Sequence, residues 1–187
     1  TAIKNNLITE AKEIKKEVEQ LIDNMEENQD VLMYYQLLDF RHELMLSYMR
    51  SEDLKEVNET YEQLRQFDGN LTGMLEYYFF FFMGMYEFRQ RELTTAISAY
   101  RIAETKLKGI EDEIEHAEFY FKISEVYYYM KQTFFSLNYA KRALRIYSKY
   151  NSYADHIIHV QCIMAGNLMD ILDYEGALNQ FRENLNI

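Results

Sequence analysis

The stretch 77–103, YYFFFFMGMYEFRQRELTTAISAYRIA, decides the fold. It opens on six consecutive aromatic residues, 77–82, and then places Gly84, Ala96, Tyr100 and Ala103 at offsets 0, 12, 16 and 19. That is the spacing of a tetratricopeptide hairpin, in which small residues let two antiparallel helices touch and an aromatic ring fills the gap beside them. Rings on every side of a helix make it apolar all round, and such a helix is buried all round. The hairpin is therefore expected between neighbours, with the chain before and after it supplying them.

Downstream, the pattern recurs. Ser124, Tyr127, Ser136, Ala140 and Ala143 occupy the matching places of a second hairpin, with Tyr120 where a tryptophan is usual. Ala165, Leu168, Ala177 and Phe181 mark a third. Ala96, Ser136 and Ala177 are 40 and 41 residues apart, longer than the standard period of about 34. Glu87 stands where an aromatic is usual and Asn184 where a small residue is usual. A stack of such hairpins curves, and its concave side binds peptides or protein segments.

Upstream, Ile3, Leu7, Ala11, Ile14, Val18, Leu21 and Met25 form an apolar stripe at alternating spacings of three and four, the mark of one amphipathic helix. It stops in a cluster of acidic and capping residues, where Asn28 or Asp30 can accept an orphan amide N–H and start the next helix, over about 31–49. Ser51, Glu52 and Asp53 make a second break. Leu54, Val57, Tyr61, Leu64 and Phe67 mark a third helix, ended by the turn Asp68, Gly69, Asn70. The expected architecture is all-α: a three-helix bundle over 1–70, then tetratricopeptide-like hairpins over 71–187.

Composition agrees. The 187 residues include no proline and six glycines, which with abundant Met, Leu, Glu and Lys favours helices. A net charge of −11 argues against nucleic-acid binding, which needs a basic footprint. Cys162 is alone, so no internal disulfide forms, and a reducing, cytoplasmic location is expected. The apolar run 77–86 spans about 15 Å as a helix, half a bilayer core, so no membrane span is expected. The start at Thr1 and the end at Ile187 read as those of a fragment.

No glycine-rich phosphate loop or nucleophile elbow is visible. His156 and His159, at i and i+3, lack an obvious third metal ligand and read as polar-face residues, so no metal site is expected. His42, on a helix full of core residues, reads as a hydrogen-bonded structural group, and 111–113 as an acidic first turn. Gln29 lies at a helix–helix turn. Its amide donates and accepts at once, which suits holding a water in line with a phosphoryl group, but from the residues alone the favoured reading is a solvated turn position. Asn167 and Asp170 share a helix face near its C-terminal end, where the helix dipole disfavours the carboxylate. That placement fits either ligand contact or an exposed helix end.

The runs MEENQDVLMYYQLLDFRHELMLSYM (25–49), LTGMLEYYFFFFMGMYEFRQRELTTAISAYRIAE (71–104) and DEIEHAEFYFKISEVYYYMKQTFFSLNYAKRAL (112–144) closely resemble the Rap family. These are response regulator aspartate phosphatases of spore-forming Gram-positive bacteria. The resemblance covers nearly the whole chain, and family members are roughly twice as long. It implies a three-helix bundle that binds a response regulator, and a repeat domain whose concave face takes a short signalling peptide of the Phr type. Some members hydrolyse the aspartyl phosphate of a receiver domain, while others sequester a DNA-binding domain. By resemblance, Gln29 matches the catalytic glutamine, and Leu32 and Phe40 belong to the target-facing surface or to the bundle core. Asn167 and Asp170 match peptide-pocket positions, the aspartate meeting a basic side chain. No cofactor is implied for this chain, since the receiver would carry its own Mg2+. Asn28, where the family often has an acidic residue, leaves the phosphatase and sequestering readings both open, with a generic repeat scaffold as a third.

Overall fold

The structure is a computed structural model, and it describes residues 2–3, 7–26, 28–50, 55–66 and 71–184. Its described residues form α1 (Ile8–Ile22), α2 (Gln29–Arg50), α3 (Lys55–Arg65), α4 (Gly73–Arg89), α5 (Leu93–Leu107), α6 (Glu113–Tyr129), α7 (Thr133–Tyr147), α8 (Ala154–Asp170) and α9 (Tyr174–Asn184). A short 3-10 turn, Asn151–Tyr153, precedes α8. Of the expected features, Leu54, Phe67, the break at 51–53, the turn at 68–70 and the side chain of Asn184 lie outside the described residues.

The hairpins α4–α5, α6–α7 and α8–α9 follow from the predicted spacing. A Cβ on Gly84 would stand 2.7 Å from the Tyr100 ring, so only glycine lets that ring lie against α4. Ala96, Tyr100 and Ala103 are fully buried, as are Ser136, Ala140 and Ala143 in the next hairpin. There a hydroxyl replaces the glycine contact, with Ser136 Oγ donating to the Ser124 carbonyl at 2.9 Å. α4 is enclosed as the aromatic run requires, for none of residues 77–82 is exposed. Tyr77, Phe81, Tyr100 and Phe119 meet ring to ring across three helices, at 5.4–6.3 Å between neighbouring centroids.

Each hairpin turns on a residue that is not glycine. Arg91, Lys131 and Leu172 adopt φ of 68°, 57° and 64°. The following amides, of Glu92, Gln132 and Asp173, each donate at 2.9 Å to the carbonyls of Glu87, Tyr127 and Leu168. This is a Schellman closure, repeated three times. It satisfies helix-end carbonyls while forcing a side chain into the left-handed region at a cost of about 1–2 kcal/mol.

The packing runs on across the segment between α3 and α4. Met33, Leu37, Phe40, Leu44, Val57, Tyr61 and Leu64 share one core with residues of α4, α5 and α6. The Tyr61 and Tyr86 rings stack at 3.9 Å, Tyr86 Oη donates to Asn58 at 2.8 Å, and Tyr61 Oη bonds Glu87. Glu87, set where an aromatic is usual, thus serves the bundle.

The stripe on α1 is packed only in part. Ala11 is buried with Ala2 against Met45 and Leu46. Leu7, Ile14, Leu21 and Met25 stay exposed, Leu21 at 71%. α1 stands off from α2, and a cleft of about 370 Å3 separates Ile14 and Val18 from Tyr34, Tyr78 and Phe82. Among the described residues, no helix is long and apolar enough to cross a membrane.

Candidate functional site

α2 begins at Gln29 because Asn28 caps it. Asn28 Oδ1 accepts from the backbone N–H groups of Asp30 at 3.1 Å and Val31 at 3.2 Å, and its carbonyl accepts from Leu32 at 3.0 Å. The expected cap is therefore Asn28, with Asp30 in the first turn, where its charge suits the dipole. Gln29, the first helical residue, is exposed, and Leu32, one turn on, is half-buried. Of the two readings left open for Phe40, the structure supports the core. The side chain has no exposed surface and lies against the Tyr61 and Tyr86 rings at 6.4 and 6.0 Å, so the target-facing reading is corrected.

On the inner side of the hairpin stack, a groove of about 860 Å3 is lined by Met45 and Tyr48 of α2, Phe121 and Lys122 of α6, and His159 and Cys162 of α8. At its bundle end, Arg41 of α2 donates to Glu118 of α6 at 3.2 Å, with both side chains buried. Lys122 Nζ bonds Glu125 at 2.9 Å and lies 4.8 Å from the Phe121 ring centroid. Burial works against the Lys122 ammonium, but Glu125 and Glu118 together hold its pKa above the usual value. His159 stacks on Phe121, while His156 meets Tyr147 and Tyr153.

Asn167 and Asp170 share a helix face but not a role. Asn167 is 1% exposed, and its amide donates to Ser136 Oγ and to the Ile163 carbonyl, both at 2.8 Å. The expectation that it lines an open pocket is corrected: its two N–H groups are spent between the second and third hairpins, ending a chain from Asn167 through Ser136 to the Ser124 carbonyl. Asp170 is exposed and holds Lys131. That hydrogen bond, together with the carboxylate charge, raises the Lys131 pKa.

A second cluster flanks the α1–α2 cleft. Lys15 Nζ of α1 contacts Asp39 Oδ1 and lies 3.6 Å from Glu43 Oε1. His42 beside them is buried as expected, but not hydrogen-bonded as expected. Nδ1 lies 3.5 Å from Glu43 Oε1, outside hydrogen-bonding geometry, and neither ring nitrogen makes a hydrogen bond.

Residues 1–47 match the family model for response regulator aspartate phosphatase H, N terminal. Over 189 residues the chain is 60% identical to Response regulator aspartate phosphatase I of Bacillus subtilis (strain 168), covering 100% of this chain and 48% of that protein. The apo form of RapI superposes with a TM-score of 0.86 at 59% identity, over 100% of this chain and 51% of that one. The chain belongs to the Rap family. A Rap protein complexed with Competence and Sporulation Factor matches this Rap chain with a TM-score of 0.91 at 44% identity, over 99% of it and 50% of the other. The Rap chain thus spans about half the length of the curated relatives it matches.

Three contacts of the Rap chain were not legible as site features: Lys131 on Asp170, Arg41 on Glu118, and Lys15 on Asp39. Each joins residues at least 24 positions apart, on different helices or a turn. Only the repeat period carried a signal for the first. Residues 129 and 170 are equivalent places in successive hairpins, so whatever meets one has a counterpart at the other.

Proposed function

We propose that this chain is the target-binding and peptide-sensing part of a Rap regulator of two-component signalling, and that it dephosphorylates a response regulator. The carrying observation is the placement of Gln29. It is fixed at the first position of α2 by the Asn28 cap and turned to solvent, where a docked receiver can meet it. The name of the 60% identical relative, Response regulator aspartate phosphatase I, gives the reaction. In that reaction a water attacks the phosphorus in line, the bond from phosphorus to the aspartyl oxygen breaks, the aspartate carboxylate stays on the receiver, and inorganic phosphate leaves with the hydrogens of the water. The Gln29 carbonyl accepts a hydrogen from the water while its N–H2 donates to a phosphoryl oxygen. The receiver supplies the acyl phosphate and its own divalent ion. Half-buried Leu32 borders the contact. A short peptide of the Phr type occupies the inner face of the repeats, with Asp170 taking a basic side chain.

Sequestration of a regulator without hydrolysis is the second reading. The net charge of −11 favours it, with Glu10, Glu13, Glu17, Asp23 and Glu26 all exposed in and just beyond α1, because a basic DNA-binding domain is steered to such a face.

Phosphate loss from a panel of phosphorylated receivers, run beside capture of intact response regulators, separates the two. The expected result is faster loss on one receiver, cut about 100-fold by Gln29→Ala with capture unchanged. Loss that Gln29→Ala leaves untouched removes Gln29 from the mechanism. Capture without any loss establishes sequestration.

A further inference from the structure

His42 is 4% exposed and lines the cleft between α1 and α2, yet neither of its ring nitrogens makes a hydrogen bond. Buried polar groups in native proteins are almost always matched, so an unmatched imidazole facing a cleft points to an occupant, a water or an ion.

The neighbours indicate which. Asp39, His42 and Glu43 stand at i, i+3 and i+4 of α2 and therefore share one face. One ligand atom from each lies within 4.8 Å of the other two. Two carboxylates and an imidazole are the donor set of a borderline divalent ion such as Zn2+, which takes three protein ligands and leaves a fourth position to water. The cleft of about 370 Å3 gives that water room. A hard ion such as Mg2+ or Ca2+ prefers oxygen alone and has less use for the imidazole.

The position already attracts a cation. Lys15 reaches over from α1 to both carboxylates, touching Asp39 and standing 3.6 Å from Glu43. Its single charge offsets one of the two carboxylates and leaves His42 unmatched. A divalent ion would neutralise both and bond the imidazole as well. We propose that Asp39, His42 and Glu43 form a Zn2+-type site, which the Lys15 ammonium fills in the metal-free chain and from which a bound ion expels it.

The consequence concerns α1. All three ligands belong to α2, so the ion does not bridge helices. It instead removes one of the ties that hold α1, leaving the bond from Tyr35 to Glu19 at 2.8 Å and the packing of Ala11. The site lies about 15–21 Å along α2 from Gln29, so it is separate from the proposed phosphatase contact.

Titration of the 187-residue chain with Co2+, followed by visible d–d absorption, and with Zn2+, followed by calorimetry, tests the site. One equivalent should bind with the absorption of a four-coordinate centre. His42→Ala should weaken binding by about 100-fold, and Asp39→Asn and Glu43→Gln, which keep side-chain volume, should weaken it as well. Lys15→Met should strengthen it by about tenfold. Zn2+ should speed amide exchange across residues 8–22. No uptake of either ion overturns the proposal, as does binding that Glu43→Gln and Asp39→Asn leave unchanged, since the ion would then lie elsewhere on the chain. Unchanged affinity in Lys15→Met overturns the role of the lysine. If His42→Ala loses its helical circular dichroism, the two amide variants carry the result.

Discussion

Lys131 Nζ bonds both carboxylate oxygens of Asp170, at 3.0 and 2.8 Å, and so ties the end of α8 to the turn of the hairpin before it. The tie follows from the repeat. Lys131 sits in the left-handed region, which throws its side chain forward onto the next hairpin, with Nζ 5.1 Å from the Tyr128 ring centroid. Arg91 does the same one repeat earlier, its guanidinium 5.0 Å from the Tyr129 ring. Tyr129 and Asp170 are equivalent positions, so Asp170 is a repeat contact that carries a charge.

A basic peptide side chain reaching Asp170 must therefore compete with Lys131. Under the proposed function, Asp170→Ala weakens binding of an arginine-containing pentapeptide by about 10- to 100-fold, the value of a charge-assisted hydrogen bond of about 1.5–3 kcal/mol. Lys131→Met strengthens it by removing the competitor. Calorimetric titration of the parent and both variants checks the pair. Equal affinities in all three would take Asp170 out of the pocket.

Gly84→Ala tests the hairpin contact. Alanine gains about 1 kcal/mol over glycine in helix propensity. Against that, its Cβ meets Tyr100 at 2.7 Å, and Tyr100 is fully buried with no room to withdraw. Overpacking of this kind costs about 1–3 kcal/mol, so the net expectation is a loss of about 1 kcal/mol. Adding Tyr100→Leu should recover part of it. Urea unfolding of the single and double variants reads both effects, and a single variant as stable as the parent would contradict the close approach.

The hairpins were legible because size decides their contacts: Gly84, Ala96 and Ala103 are small where backbones meet, and that shows in the letters themselves. The start of α2 was legible for the same local reason, as a cap at Asn28 or Asp30, of which the structure takes Asn28. The turns were not, because Arg91, Lys131 and Leu172 take a glycine conformation without being glycine, under compulsion from helix closure. Periodicity put Asn167 and Asp170 on one face of α8 but could not show that Ser136 covers the first and Lys131 meets the second. It likewise aligned seven apolar residues as one stripe, of which four lie on α1, without showing that a cleft would leave Ile14 and Leu21 exposed.

Arg41→Met should be costly. The guanidinium lies 3.2 Å from Glu118, and both groups are buried between α2 and α6. Removing one partner of a buried pair costs about 3–5 kcal/mol, because the other charge stays buried, whereas removing both costs far less. Tyr147 Oη still donates to Glu118 at 3.4 Å, which places the expected loss near the lower figure. Arg41→Met/Glu118→Gln should regain most of it. Denaturant unfolding gives the energies, and amide exchange across α2 shows whether the helix loosens from the repeats. A double variant as weak as the single one would assign the effect to lost arginine packing instead of to charge.

Replacing the left-handed turn residues with glycine should give unequal gains. The strain relieved is about 1–2 kcal/mol at each turn. The extra freedom of glycine in the unfolded chain takes back about 0.4–1 kcal/mol. Arg91→Gly also loses the cation–π contact with Tyr129, about 0.5–1 kcal/mol, so its net effect is close to zero. Leu172 is 69% exposed and has little packing to lose. Leu172→Gly should therefore raise stability by about 0.5–1 kcal/mol, a rise in Tm of about 2 °C for a chain of this length. Thermal unfolding followed by circular dichroism ranks the two. A larger gain at Arg91 than at Leu172 would show that the guanidinium adds nothing over the ring.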